Sequence, residues 1–188
     1  MRTLAAVATS VVSAYSFGFD VTGTQFEKAA DKYGIDPVLL YSVALAESAS
    51  GRGDNTISPW PWTLRSSEGP LYAPTKEAAA VKLQDIIAKN GERSSIDIGF
   101  LQINLFWNGH RVEDPLDLLD PEKNLDTGAA ILRETINSSP NDLELGIGRY
   151  HNWAEEHRSR TYGRRVLSIY QQLLNLSPEN TNAAKFDN

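Results

Sequence analysis

Glu47 is the only charged residue in the apolar run Leu39-Leu40-Tyr41-Ser42-Val43-Ala44-Leu45-Ala46-Glu47-Ser48. Asp36 can cap a helix here and Pro37 suits its first turn. Leu40, Val43, Ala44 and Glu47 then share one face, which also carries Leu39 and should point into the core. The Gly51-Arg52-Gly53 segment should stop the helix, leaving Glu47 near its C-terminal end, where the macrodipole disfavours negative charge. Burial and the dipole both favour the protonated form and should raise the pKa. An acid kept protonated near neutral pH is what general acid catalysis requires. Periodicity alone leaves a second reading open, in which Glu47 turns to solvent as the helix frays or pairs with Arg52.

Two further segments carry groups that could meet Glu47. In Gly99-Phe100-Leu101-Gln102-Ile103-Asn104, glycine lets backbone approach a ligand and Gln102 and Asn104 offer amide donors and acceptors. The other is Gly146-Ile147-Gly148-Arg149-Tyr150-His151-Asn152, followed by Tyr162. Amides and aromatic faces around one carboxylic acid suit a sugar. Plainer readings stand beside this one. Gln102 and Asn104 could stabilise a turn, and Tyr150 is most simply a core aromatic whose hydroxyl needs a partner, which in the glycan reading is Glu47 or the sugar. Trp60 and Trp62 fit hairpin packing as well as a glycan platform. Asp97 is the rival second carboxylate, although its place two residues before Gly99 suits structural bonds to backbone. His110, His151 and His157 are read as structural or exposed, and Arg164-Arg165 as solvated.

The elements that must position these groups are mostly helical. Thr24-Gln25-Phe26-Glu27 forms a capping box for a short helix that stops at Gly34, before the Asp36-Pro37 start. Ser58-Pro59-Trp60-Pro61-Trp62-Thr63-Leu64 and Leu71-Tyr72-Ala73 suggest a short hairpin whose prolines confine it to an edge. Thr75 caps a helix that ends at Asn90-Gly91. Asp114-Pro115 and Asp120-Pro121 are two further starts, the second leading a helix through Leu125, Ala129 and Leu132. Pro140-Asn141-Asp142 begins another, and a last helix carries Tyr162, Val166, Ile169 and Leu173. The class is mainly α (α+β), with a small β-hairpin insert.

The 188 residues make one domain, and no internal repeat or linker is apparent. The absence of cysteine excludes disulfides and thiolate chemistry, and three scattered histidines argue against a metal site. No cofactor is expected. A net charge of −6 argues against bulk electrostatic tracking of nucleic acid or a membrane surface. Met1-Arg2, then Leu4-Ala5-Ala6-Val7-Ala8 and Val11-Val12, with small residues at Val12-Ser13-Ala14, has the order of a secretory signal. Residues 1–19 are therefore expected to be a leader, 20–176 the domain and 177–188 a disordered tail. No other apolar run approaches membrane-spanning length.

Taken in order, Ala46-Glu47-Ser48, Gly99-Phe100-Leu101-Gln102-Ile103-Asn104, Gly128-Ala129-Ala130-Ile131-Leu132, Gly148-Arg149-Tyr150-His151 and Tyr162 with Val166 resemble the soluble lytic transglycosylase family, a lysozyme-like fold. The likeness covers roughly residues 22–175. The Trp60-Pro61-Trp62-Thr63-Leu64 insert and the Ser95-Ile96-Asp97-Ile98-Gly99 lead-in look like one branch of it, often found with conjugation or secretion machinery. The resemblance implies that Glu47 is the single catalytic acid/base and that Ser48 is the serine that usually follows it. It also implies that Gln102, Ile103 and Asn104 line the glycan groove, that Tyr150 is the tyrosine of an Ala-Tyr-Asn-Ala-Gly motif, and that Tyr162 precedes the final helix. His151-Asn152-Trp153 departs from the Asn-Ala-Gly of that motif.

The implied reaction cleaves the β-1,4 bond between N-acetylmuramic acid and N-acetylglucosamine in peptidoglycan and closes a 1,6-anhydro ring. The implied partners are glycan strands and a conjugation or secretion apparatus, with export to the periplasm. Two alternatives remain: a hydrolytic muramidase in which Asp97 activates water, and a non-catalytic wall-binding assembly factor.

Overall fold

The computed structural model describes residues 19–176 apart from 52, 54, 55, 92 and 93. The expected leader up to residue 18, the expected tail and Arg52 lie outside the described residues. Phe19, placed at the end of the expected leader, belongs to the fold. Its N–H donates to the Leu176 carbonyl at 2.8 Å, and its ring packs on Tyr41 with centroids 5.0 Å apart.

The first helix, α1 (Gln25–Lys32), starts where the capping signal puts it. Thr24 Oγ1 accepts from the Glu27 N–H, and the Glu27 carboxylate accepts from Gly23 N–H, one residue before the cap. Asp36 caps α2 (Pro37–Ser48) by accepting from Val38 and Leu39 N–H, with Pro37 in the first turn. Two expectations for α2 change. Burial takes in Leu39, Leu40, Ser42, Val43, Ala44 and Ser48, so the helix runs through the core instead of offering one inward face. It also ends at Ser48, before the glycines, because Ala49–Gly51 leaves as β1 and pairs antiparallel with β2 (Ile57–Pro59).

The β element is larger than a hairpin. Strands β3 (Thr63–Ser66), β4 (Gly69–Tyr72), β5 (Asp97–Ile98) and β6 (Ile103–Asn104) form an antiparallel sheet in the order β4-β3-β5-β6. The expected hairpin is β3-β4, with Pro70 on the edge strand, where its missing N–H is tolerated. Alternation divides the faces. Leu64, Ile98 and Ile103 pair across the strands and are buried in the core. Arg65, Asp97 and Asn104 form a polar row on the other face.

The turn from β5 to β6 is pinned from outside the sheet. Gly99 has φ 83°, and a side chain there would collide with Asn124. The Asn124 amide is buried. It accepts from Leu101 N–H at 2.9 Å and donates to the Ile98 and Leu118 carbonyls at 2.8 and 3.0 Å.

Around this lie α3 (Lys76–Asn90), α4 (Leu105–Asn108), α5 (Pro121–Asn137), α6 (Leu143–His151) and α7 (Glu156–Asn175). Asp114-Pro115 opens only a 3-10 turn, Pro115–Leu119, whereas Asp120-Pro121 opens α5. Among the described residues no helix is long and apolar enough to cross a membrane.

Asn124→Ala should destabilise the fold by about 3 kcal/mol in urea denaturation, since three buried backbone groups lose their partner. A loss below about 1 kcal/mol would mean that other contacts hold the turn.

Candidate active site

Glu47 is in the last turn of α2, with 14% of its side chain exposed. Burial pushes its carboxyl up to about 7 from an ordinary 4.5, and the charge of Asp97 adds to the effect. The Tyr162 hydroxyl, Arg65 and Arg165 act in the opposite direction. At neutral pH the group is therefore poised between acid and base.

The helices beside it are brought together by glycine. A Cβ on Gly148 would collide with the Ser159 backbone, and one on Gly163 with the Glu144 carbonyl, so the backbones of α6 and α7 touch from both sides. This contact carries Tyr150 and His151, at the end of α6, together with Tyr162 of α7, to the Glu47 carboxyl. Tyr162 lies inside the final helix, where the apolar pattern puts it and not before it as the resemblance implies. It is buried, and burial next to Glu47 raises its pKa well above the ordinary tyrosine value. The hydroxyl stays protonated. It is near enough to Glu47 to lower the carboxyl's pKa in part, but it is not aligned for a formed hydrogen bond.

The other expected site residues are brought to the same region, mostly as its floor. Ser48 is fully buried, with Oγ 2.7 Å from the Phe100 carbonyl and 3.1 Å from that of Ala44. It ties the end of α2 to the β5–β6 turn and does not face a ligand. Ile103 is 1% exposed and is a core residue. Gln102 is buried with φ 45°, and its amide donates to the Thr63 and Gly99 carbonyls. Asn104 caps α4 by accepting from Trp107 N–H and donates to Asp97 Oδ1 at 2.7 Å. The plainer turn reading therefore describes Gln102 and Asn104 as the structure holds them. Tyr150 donates to the Leu101 carbonyl at 2.7 Å, so its proton goes to backbone and not to Glu47. Gly99 packs against the Asn124 amide. Trp60 donates to the Ala73 carbonyl and meets Trp62 edge to face, which is hairpin packing.

Residues set aside or not singled out in the sequence come forward. Asp97 is held by a side chain, Asn104, not by backbone, and burial raises its pKa. Its charge reaches Glu47, Tyr150 and His151. The Arg65 guanidinium, across the strand from Asp97, donates to the Glu47 carbonyl at 3.5 Å. Arg165 acts on Glu47 from α7, whereas Arg164 pairs with Glu144. His151 Nδ1 stands 3.9 Å from Glu47 Oε1, and its ring lies parallel to Tyr162 at 4.8 Å. Its position directly after Tyr150 was the available signal. The alternation of β3, β5 and β6 was the signal for Arg65 and Asp97, but the pairing that aligns them is not written locally.

Residues 24–166 match the family model described as the transglycosylase SLT domain. No curated protein and no solved structure gives a match.

Glu47→Gln should stabilise the protein in a pH-dependent way. The folded-state pKa is raised, so the stability of the neutral form is fully present below the unfolded value near 4.5 and is lost as pH rises through about 7. The variant should gain about 3 kcal/mol over wild type near pH 8 and little near pH 4, read by denaturation at each pH. Equal gains at both would refute the burial of this carboxyl.

Proposed function

We propose that this chain, a member of the transglycosylase SLT family, cleaves the β-1,4 bond between N-acetylmuramic acid and N-acetylglucosamine with Glu47 as acid and then base. The chain belongs to that family by the match over residues 24–166, and membership brings peptidoglycan as substrate and a lysozyme-like fold. The observation that carries the role of Glu47 is its buried carboxyl, poised at about 7, beside a tyrosine hydroxyl that stays protonated.

The chemistry follows from that arrangement. Protonated Glu47 gives its proton to the leaving oxygen as the C1–O bond breaks. The substrate's N-acetyl group stabilises the positive centre that develops, which removes the need for a carboxylate nucleophile. Glu47, now a carboxylate facing the Tyr162 hydroxyl, takes the proton of the 6-hydroxyl as O6 closes on C1. The low exposure of Glu47 restricts competing water. The expected place of action is the periplasm, and the branch-like insert supports local wall opening for a conjugation or secretion apparatus.

A hydrolytic muramidase is the second reading, and one observation favours it. Asp97 is a second carboxylate whose charge reaches Glu47, and it is held on the polar face of the sheet by Asn104. Under hydrolysis it would activate water in place of the 6-hydroxyl.

Digestion of purified peptidoglycan followed by mass spectrometry of the muropeptides separates these readings. Products lighter by one water, without a reducing end, are expected. Reducing ends would establish the muramidase, and absence of products a wall-binding assembly factor. Glu47→Gln should abolish cleavage while keeping the fold, a drop of at least about a hundred-fold for loss of the general acid; retained activity would remove Glu47 from its role.

A further inference from the structure

His151 stands where the family pattern has asparagine, and it is placed against the candidate acid. It ends α6 with Nδ1 3.9 Å from Glu47 Oε1 and its ring stacked on Tyr162, the two planes 4° apart. Its side chain is 56% exposed, so one edge of the ring faces solvent. A parallel stack resists tilting but allows sliding in the plane of the ring. A slide of about 1 Å brings Nδ1 to hydrogen-bond length from the carboxyl without breaking the stack.

We infer that His151 is a positioning residue whose Nδ1–H donates to the Glu47 carboxylate left when the leaving oxygen has taken the proton. The inference rests on the reading of Glu47 as the acid and gives it a second partner. His151 exchanges no proton. Glu47 loses one to the leaving oxygen and recovers one from the 6-hydroxyl, and between these events a nearly dry carboxylate needs donors. The Tyr162 hydroxyl, beside Glu47 on α7, turns to supply one, and His151 supplies the other from α6, the charge-assisted kind that weighs most.

The charged surroundings suit a neutral donor. Glu47 faces the imidazole from α2, Asp97 from β5, Arg65 from β3, and Arg165 and Tyr162 from α7. Burial holds the imidazole below its usual 6.5; Asp97 opposes this, and the two arginines reinforce it. Near neutral pH the ring is uncharged while Glu47 is poised between its two states, so no preformed ion pair holds it as a carboxylate.

The test compares His151→Phe, which keeps the stack without a donor, with His151→Asn, whose amide nitrogen can occupy the place of Nδ1. Isotope-edited NMR should show the Glu47 carboxyl titrating higher in His151→Phe, by up to about one pH unit. kcat on peptidoglycan should fall about ten-fold with KM retained, the weight of one charge-assisted hydrogen bond. His151→Asn should restore both. An unchanged Glu47 midpoint in His151→Phe, or no rescue by asparagine, overturns the inference. The NMR midpoint does not depend on turnover, so its failure is distinct from that of the Glu47 reading, which falls if Glu47→Gln still cleaves.

Discussion

One carboxyl withheld from water governs this molecule. Glu47 closes a helix with no fully exposed residue, and the loss of solvation there moves the group by more than any neighbouring charge does. Everything near it is arranged to tolerate that. Two tyrosines with strongly raised pKa stay neutral, the histidine is kept from charging, and the arginines stand at the exposed rim. A cation at contact distance would have settled Glu47 as a permanent carboxylate. Keeping Arg65 and Arg165 at the edge leaves the group able to change state.

The floor beneath it is built from backbone. Ser48 ties α2 to the Phe100 carbonyl, Tyr150 ties α6 to the Leu101 carbonyl, and Asn124 ties α5 to the same turn. Three helices thus converge on the connection between two strands of two residues each. Strands so short have little hold of their own, and the side-chain bonds supply what the ladder cannot. Gln102 adopts its left-handed backbone within that frame, its amide bound to two carbonyls.

Much of this is legible in the sequence. Caps at Thr24, Asp36, Thr75 and Asp120 act over two or three residues, and each opens a helix where the local signal puts it, whereas α6 opens at Leu143, after the expected Pro140-Asn141-Asp142 start. Glu47 was legible as a carboxylate in apolar company. What stayed hidden depends on partners distant in the chain. The chain leaves α2 at Ser48, ahead of Gly51, because β1 pairs with β2, and that pairing is not written locally. Ser48, Ile103 and Tyr150 carry the residue types of a groove, yet burial and backbone partners decide what those types do. His151 was passed over because its meaning comes from Glu47, over a hundred positions earlier in the chain.

The touching backbones of α6 and α7 bear on how such a sequence can drift. Gly148 and Gly163 hold no chemistry and meet no substrate, but any side chain at either would force the two helices apart and withdraw Tyr162 and His151 from Glu47. Selection on the reaction is therefore felt at two places that have nothing to react. A descendant that lost its wall-cleaving role would be free to fill them, so larger residues there would mark a lineage that had kept the shape after giving up the chemistry.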